Sequence, residues 1–138
     1  MAEGIRIAAS VMFVRDLDRS VRFYQELLTL EVTDRSPTAA MLVSPGGAQL
    51  VVRAMGPEAQ HALGGIGVQY VVWVADGEED LTRCEKVLQS HAGYRGTNRS
   101  GGITAVEGTD PDGIAVVIVY PGPDQVRVHE LPTRVYAW

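Results

Sequence analysis

Side chains that could do chemistry are few in this sequence and stand far apart. The only cysteine, Cys84, excludes an intrachain disulfide and any zinc site built from several thiolates. The three histidines fall in different segments and predict no metal centre; they are His61, His91 and His129. The candidates for a general acid or base share no short spacing; they are Asp34, Tyr70, Glu107 and His129. The sequence therefore assigns no catalytic residue and predicts no bound cofactor.

Length and charge limit the possible classes of function. The chain has 138 residues, 17 acidic against 12 basic, and a net charge of −5. This length suits one domain and is too short for two independent cores. There is no basic cluster of the kind that binds nucleic acid, no apolar stretch of about 20 residues for a membrane helix, and no signal-peptide pattern at the N-terminus. We therefore predict a cytoplasmic, soluble protein that binds neither nucleic acid nor membranes.

The apolar pattern predicts several short strands and two helices. Runs rich in Val, Ile and aromatic residues, bounded by Gly, Pro or Asp, predict strands at 7–14, 39–43, 48–54, 68–75, 103–107 and 114–120, with weaker candidates at 30–34 and 93–95. Helical spacing follows Asp16, which can cap the first helix, and the acidic run at 78–80, which suits the first turn of the second. The polar, glycine-rich segment 95–102 predicts a flexible loop.

These elements occur twice in the same order, a strand, a helix and three short strands. Asp16 and Asp76 precede the two helices, and the offset between them gives the length of the repeat. Self-similarity of this kind predicts an α+β fold built from two βαβββ modules. We place module one at about 5–55, a linker at 56–67, module two at about 68–121 and a C-terminal tail at 122–138, all within one domain.

Two motifs in this arrangement resemble the vicinal oxygen chelate superfamily, which includes glyoxalase I, bleomycin-resistance proteins and ring-cleaving dioxygenases. The motif residues are Asp16, Leu17, Ser20, Phe23 and Tyr24 near the start, and Asp110, Pro111, Asp112 and Gly113 before the last strand. The resemblance covers about residues 5–121. It implies that the modules form curved mixed sheets around a cleft, and it is specific for the fold rather than for a function.

In the metal-dependent members of that superfamily, four side chains on the first and last strands of each module bind one divalent ion. The resemblance places the four positions at Ala9, Val51, Gln69 and Val117. Only Gln69 has a donor atom, and one neutral amide does not hold a divalent ion alone. The resemblance therefore implies a metal-free member.

Strand alternation predicts which other side chains line the cleft. The predicted ligand-binding residues are Phe13, Gln49, Val51, Arg53, Gln69, Trp73 and Val117. Because Phe13 and Trp73 are separated by the same offset as Asp16 and Asp76, we expect them to occupy equivalent positions and to stack on a planar ligand. Arg53 would pair with an anionic or carbonyl group. The alternate residues Tyr70, Val72 and Val74 would pack under the second helix.

Three functions remain open from the sequence. The first is a metal-free protein that sequesters or carries a small aromatic natural product, as the resemblance to bleomycin-resistance proteins implies. The second is a metal-independent enzyme of natural-product biosynthesis, such as a cyclase, a dehydratase or an isomerase or lyase, which would need a positioned acid or base. The third is an interaction domain that has lost its ligand. The resemblance also implies a homodimer, and the apolar residues of the tail agree with one.

Overall fold

The computed structural model describes residues 4–5, 7–60, 68 and 70–122. These residues form two helices and eight strands in the predicted order; the bounds are β1 Ala9–Val14, α1 Leu17–Leu28, β2 Glu31–Arg35, β3 Ala39–Val43, β4 Gln49–Ala54, β5 Tyr70–Val74, α2 Glu78–Ser90, β6 Tyr94–Ser100, β7 Ile103–Thr109 and β8 Ala115–Tyr120. They confirm an α+β fold of two βαβββ modules. The chain divides into two compact units, Met1–Gln60 (unit 1) and His61–Trp138 (unit 2). No helix among the described residues is long and apolar enough to cross a membrane.

Unit 1 contains a mixed four-stranded sheet, sheet A, in the order β1-β4-β3-β2. Strand β1 runs parallel to β4, and the other neighbours are antiparallel. Helix α1 begins where expected, because the Asp16 side chain accepts a hydrogen bond from the Arg19 amide at 3.1 Å and so caps the first turn. It ends at Thr29, which has left-handed backbone angles with φ 52°. The crossover from β1 through α1 thus places the helix on one face of sheet A.

The core of unit 1 lies between α1 and that face of sheet A. The helix contributes its buried apolar stripe, in which the rings of Phe23 and Tyr24 meet edge to face at 5.1 Å. The sheet contributes alternate residues of its central strands; they are Ala40, Leu42, Leu50 and Val52, all nearly inaccessible to solvent. The period of two in these strands turns the intervening residues to the other face of sheet A.

Unit 2 repeats the arrangement in sheet B, with the order β5-β8-β7-β6 and β5 parallel to β8. The turn at Asp110 joins β7 to β8 as predicted. One oxygen of the buried Asp110 carboxyl group accepts hydrogen bonds from the amides of Asp112 and Ile114, at 2.8 and 2.9 Å. This local bonding explains why an Asp starts the turn.

The prediction of a flexible loop at 95–102 is wrong, because most of that segment forms strand β6. Strand β6 is the outermost strand of sheet B and has almost no large apolar residues, so its sequence carries no strand signal. The second helix also begins one residue later than the repeat predicted. Gly77, not Asp76, is its N-cap, without a side-chain capping bond. Helix α1 starts at Leu17 and α2 at Glu78, so the structural repeat is longer by one position than the offset from Asp16 to Asp76.

Candidate functional site

The face of sheet A turned away from α1, here called the open face, carries four of the predicted site residues. Phe13 lies opposite Arg53 in the pairing of β1 with β4, and Gln49 and Val51 occupy the same face of β4. The side chains of Ala9, Val11, Ala39, Met41 and Val43 complete the strip across β1, β4 and β3. Alternation therefore predicted this face correctly; whether its residues contact a ligand stays a prediction.

The open face exposes large apolar side chains. Val11 is 65% and Phe13 59% accessible to solvent, although both stand on a regular strand. Val51 and Met41, which pair with each other between β4 and β3, are half-buried. Contiguous exposed apolar surface of this kind is typical of interaction sites. The open face is thus largely apolar, and the aromatic ring of Phe13 lies at its β1 edge.

Arg53 adds a positive charge to the open face. Its side chain is exposed directly beside Phe13, and it has no ion-pair or hydrogen-bond partner in the part of the chain that the structure describes. A guanidinium group offers several donors in a planar fork that matches a carboxylate or phosphate. An aromatic ring and an available guanidinium group therefore stand side by side, which suits an aromatic molecule with an anionic group.

Sheet B has its own helix-facing side, and two contacts identify it. A Cβ atom on Gly108 would stand 2.8 Å from the Leu88 side chain of α2. The Thr97 hydroxyl group donates to the Glu85 carboxylate of α2 at 3.1 Å. In the strand register, Thr97 pairs with Val106, so the row that contains Val106 faces α2.

Trp73 belongs to that helix-facing row. It pairs with Ile118, which pairs with Val106, and Val71 pairs with Val116 on the same side. Val117 instead pairs with Val72. The prediction that Trp73 and Val117 share a face is therefore wrong. So is the prediction that Tyr70, Val72 and Val74 pack under α2; they lie on the side turned away from it, here called the far face of sheet B.

The cause of this error is the repeat length. With the longer structural repeat, which matches Leu17 to Glu78, Phe13 corresponds to Val74, and Trp73 corresponds to Met12 on the helix side of sheet A. A shift of one residue moves every side chain of a strand to the opposite face. Phe13 and Trp73 are therefore not equivalent positions. Gln69 lies outside the described residues.

The far face of sheet B holds a buried carboxyl group at Glu107, which the sequence offered only as one of several acids. Its side chain is completely buried, and one carboxyl oxygen accepts a hydrogen bond from the side-chain amide group of Asn98 at 3.0 Å. Glu107 pairs with Val117, so it stands beside one of the four positions that the resemblance assigns to a metal ligand. Strand alternation from Ala105, which shares this face, could have identified it.

The remaining candidates lie apart from the open face or lack suitable chemistry. Among the histidines, His91 is exposed at the end of α2, and His61 and His129 lie outside the described residues. Cys84 is buried in the stripe of α2, where burial, opposed in part by Arg83, raises the pKa of its thiol to about 11. A thiol in such a place is a packing group rather than a nucleophile.

A groove of about 560 Å³ lies where β1 ends and α1 begins. Its lining is strongly charged; the residues include Arg15, Asp16, Asp18 and Arg19. The Arg15 side chain donates to the Ala59 carbonyl oxygen at 2.6 Å, and the Asp16 side chain caps the helix. These groups serve the local structure, and the groove does not present an apolar floor for an aromatic molecule.

The residues of the described chain do not fit the divalent metal of the superfamily. On the faces turned away from the helices, the first and last strands of the two modules present no His, Asp or Glu side chain; at the positions aligned by the structural repeat they carry Ala9, Val51, Tyr70 and Val117. Nor do the described residues contain any group of three His, Cys, Asp or Glu side chains placed to hold an ion. Glu107 alone does not supply the donors that a divalent ion needs.

Comparison with known proteins supports this architecture. The sequence profile of the Glyoxalase/Bleomycin resistance protein/Dioxygenase superfamily matches residues 6–118. No curated protein sequence matches significantly. A glyoxylase/bleomycin resistance protein/dioxygenase domain from Frankia sp. EAN1pec is similar with a TM-score of 0.72 and 24% identity, over 83% of this chain and 96% of that one.

Two other solved structures share the fold at lower identity. Lactoylglutathione lyase from Agrobacterium tumefaciens has a TM-score of 0.64 and 18% identity, over 86% of this chain and 95% of that one. The fosfomycin resistance protein FosX from Mesorhizobium loti has a TM-score of 0.63 and 15% identity, over 86% and 92%. Such identities carry the fold and not the activity. The profile match spans most of the chain, which therefore belongs to the Glyoxalase/Bleomycin resistance protein/Dioxygenase superfamily.

Proposed function

We propose that this protein binds a small aromatic molecule on the open face of sheet A, without a metal ion, and so sequesters or carries it. The observation that carries the proposal is the pair formed by Phe13 and Arg53, an exposed aromatic ring beside an available guanidinium group. Covering apolar surface stabilises a complex by about 25 cal/mol per Å². The ring supplies such surface, and the guanidinium group selects a ligand with an anionic or carbonyl group.

The family of this chain and one of its structural neighbours support a resistance-like role. Its superfamily includes bleomycin resistance proteins, and one structural neighbour is a fosfomycin resistance protein. Sequestration requires a complementary surface and no reacting group. The open face offers apolar side chains and one cation, and it offers no buried acid or base among its described residues.

The proposal is tested by titration of the purified protein with biphenylcarboxylic acid, followed by amide NMR and calorimetry, and then with aromatic natural products that carry an acid. The expected result is saturable binding with the largest shifts in the amides of β1 and β4. Arg53→Gln should weaken it, while Arg22→Gln, an exposed arginine of α1, should not. Binding that Arg53→Gln leaves unchanged, or shifts confined to other strands, would refute the proposed site.

We also propose that the protein is a homodimer. The apolar composition of the tail supports it. Light scattering at micromolar concentration should give the mass of two chains. The mass of one chain would exclude the dimer under those conditions.

A metal-independent enzyme is the second candidate, and the buried Glu107 favours it. A carboxyl group inside an apolar environment, oriented by Asn98, has the placement of a general base or acid. Glu107→Gln keeps the shape and removes the acid–base function. If the protein converts a bound ligand to a product, and this variant binds that ligand normally without converting it, the protein is an enzyme that uses Glu107. If no conversion of a bound ligand occurs, the carrier function stands.

A further inference from the structure

A bulge in strand β2 turns a second charged group onto the open face. Sheet pairing matches Val32 with Leu42 and then Asp34 with Met41, so Thr33 is an extra residue. Leu42 is buried on the α1 side, and Met41 lies on the open face. In a regular strand without the bulge, Asp34 would share the face of Val32, two residues earlier, and would point toward α1. With it, Asp34 shares the face of Met41.

The next residue confirms this direction independently. The Arg35 guanidinium group forms an ion pair with Asp18, which stands on α1. Arg35 therefore points to the helix side, and its neighbour Asp34 points to the opposite one. Asp34 is exposed, and no ion-pair or hydrogen-bond partner of its side chain occurs within the described ranges.

The open face thus carries two opposite charges that do not neutralise each other. Arg53 stands on β4 and Asp34 on β2, with β3 between them. Arg53 pairs with Ala39 and Asp34 with Met41, so two strand spacings and an offset of two residues separate their Cα atoms by about 12 Å, too far for a direct ion pair. The floor between them is apolar and contains Val51 and Met41. Glu31, on the same face of β2, adds a second carboxylate at this edge.

We propose that the ligand of the open face is zwitterionic: an aromatic molecule whose acidic group pairs with Arg53 and whose basic amine, about 10–12 Å away, pairs with Asp34. The aromatic part would cover Val51 and Met41, with Phe13 at its side. This inference rests on the proposed function and adds the chemical class of the ligand. Charge complementarity supports it, because a purely anionic ligand would meet two carboxylates at the β2 edge without compensation.

The test compares two rigid probes that share one aromatic core. One is biphenylcarboxylic acid, and the other carries in addition an aminomethyl group at the far para position, which spans about two strand spacings. The protein should bind the zwitterion about two- to fivefold more tightly, the usual worth of an exposed charge pair. The difference should shrink when the salt concentration is raised.

Asp34→Asn gives the decisive contrast, because the two probes should respond in opposite directions. The variant should weaken binding of the zwitterion and slightly tighten binding of the simple acid, since a repelling carboxylate is removed. Glu79→Gln, an exposed acid of α2, is the matched control and should change neither. A variant that weakens both probes equally, or affects neither, overturns the inference.

Failure of this inference is distinguishable from failure of the proposed function. If the simple acid binds in an Arg53-dependent manner and the zwitterion binds no better, the aromatic site stands and the amine pairing is wrong. If neither probe binds at the open face, the proposed function is wrong, and the inference falls with it.

Discussion

Replacing Phe13 and Trp73 in turn separates the ligand surface from the helix-packed side of the molecule. Phe13 stands on the open face of sheet A, whereas Trp73 stands on the α2 side of sheet B. We therefore expect Phe13→Ala to weaken binding of biphenylcarboxylic acid and to change stability little. Trp73→Ala should do the reverse. From the sequence alone, both rings were predicted to stack on the ligand.

The size of the Phe13 effect follows from its exposure. A phenylalanine offers roughly 150–250 Å² of surface, and 59% of the residue is accessible, so on the order of 100 Å² remains for a ligand to cover. At about 25 cal/mol per Å² this is worth up to about 2.5 kcal/mol, and stacking adds about 0.5–1.5 kcal/mol. Because alanine keeps part of the surface and the ligand covers only part of the ring, we expect a loss of about 2 kcal/mol, or roughly 30-fold in affinity.

Stability is measured on the same two variants by urea unfolding. Phe13→Ala should change the free energy of unfolding by less than about 0.5 kcal/mol, as for other exposed positions. Trp73 is half-buried, so Trp73→Ala should cost about 1–2 kcal/mol, less than a fully buried tryptophan. Ile5→Ala, at a fully exposed position, is the control for loss of apolar surface. If Trp73→Ala reduces affinity as much as Phe13→Ala does, the assignment of faces in sheet B is wrong.

Three other parts of the molecule can be tested separately. Gly108→Ala should lower the free energy of unfolding by at least about 2 kcal/mol, because its Cβ would stand 2.6 Å from the Gly93 carbonyl oxygen; a wild-type urea midpoint would contradict that close approach. Cys84 should react with iodoacetamide near pH 8 about 100-fold more slowly than a free thiol, since burial raises the pKa of its thiol to about 11; equal rates in native and unfolded protein would refute this. Elemental analysis after dialysis should find no stoichiometric divalent metal, because only one of the four aligned positions, Tyr70, carries a donor atom; about one zinc, nickel, manganese or iron per chain would overturn the metal-free assignment.

The sequence predicted those parts of the fold that rest on local chemistry. Asp16 caps α1 through its own side chain, and Asp110 organises the turn before β8 through two short-range hydrogen bonds. Such signals need no knowledge of distant residues. Strand β6 was missed because its place in sheet B depends on pairing with β7, and its polar composition carries no apolar pattern.

The strand faces were predicted correctly for one module and not for the other, for a physical reason. In unit 1 the alternation from Ala9 to Phe13 was read directly along one strand. In unit 2 the faces of the strands were inferred from the repeat. Because the predicted repeat was one residue too short, it assigned the helix-facing side chains of β5 to the opposite face. No composition signal marks that extra residue; the start of α2 at Glu78 and the pairing of Trp73 with Ile118 reveal it.

Comparison of the bulges in the two units indicates that the backbone of β2 does not need a carboxylate at Asp34. Both modules have an irregularity at the corresponding place, between Val32 and Asp34 in β2 and between Tyr94 and Gly96 in β6. The same backbone device therefore occurs in each unit, but unit 2 places a glycine where unit 1 places an acid. Because the bulge forms without a carboxylate in unit 2, folding does not require Asp34. Its position on the same exposed apolar face as Arg53 is better explained by recognition of a ligand with two charges.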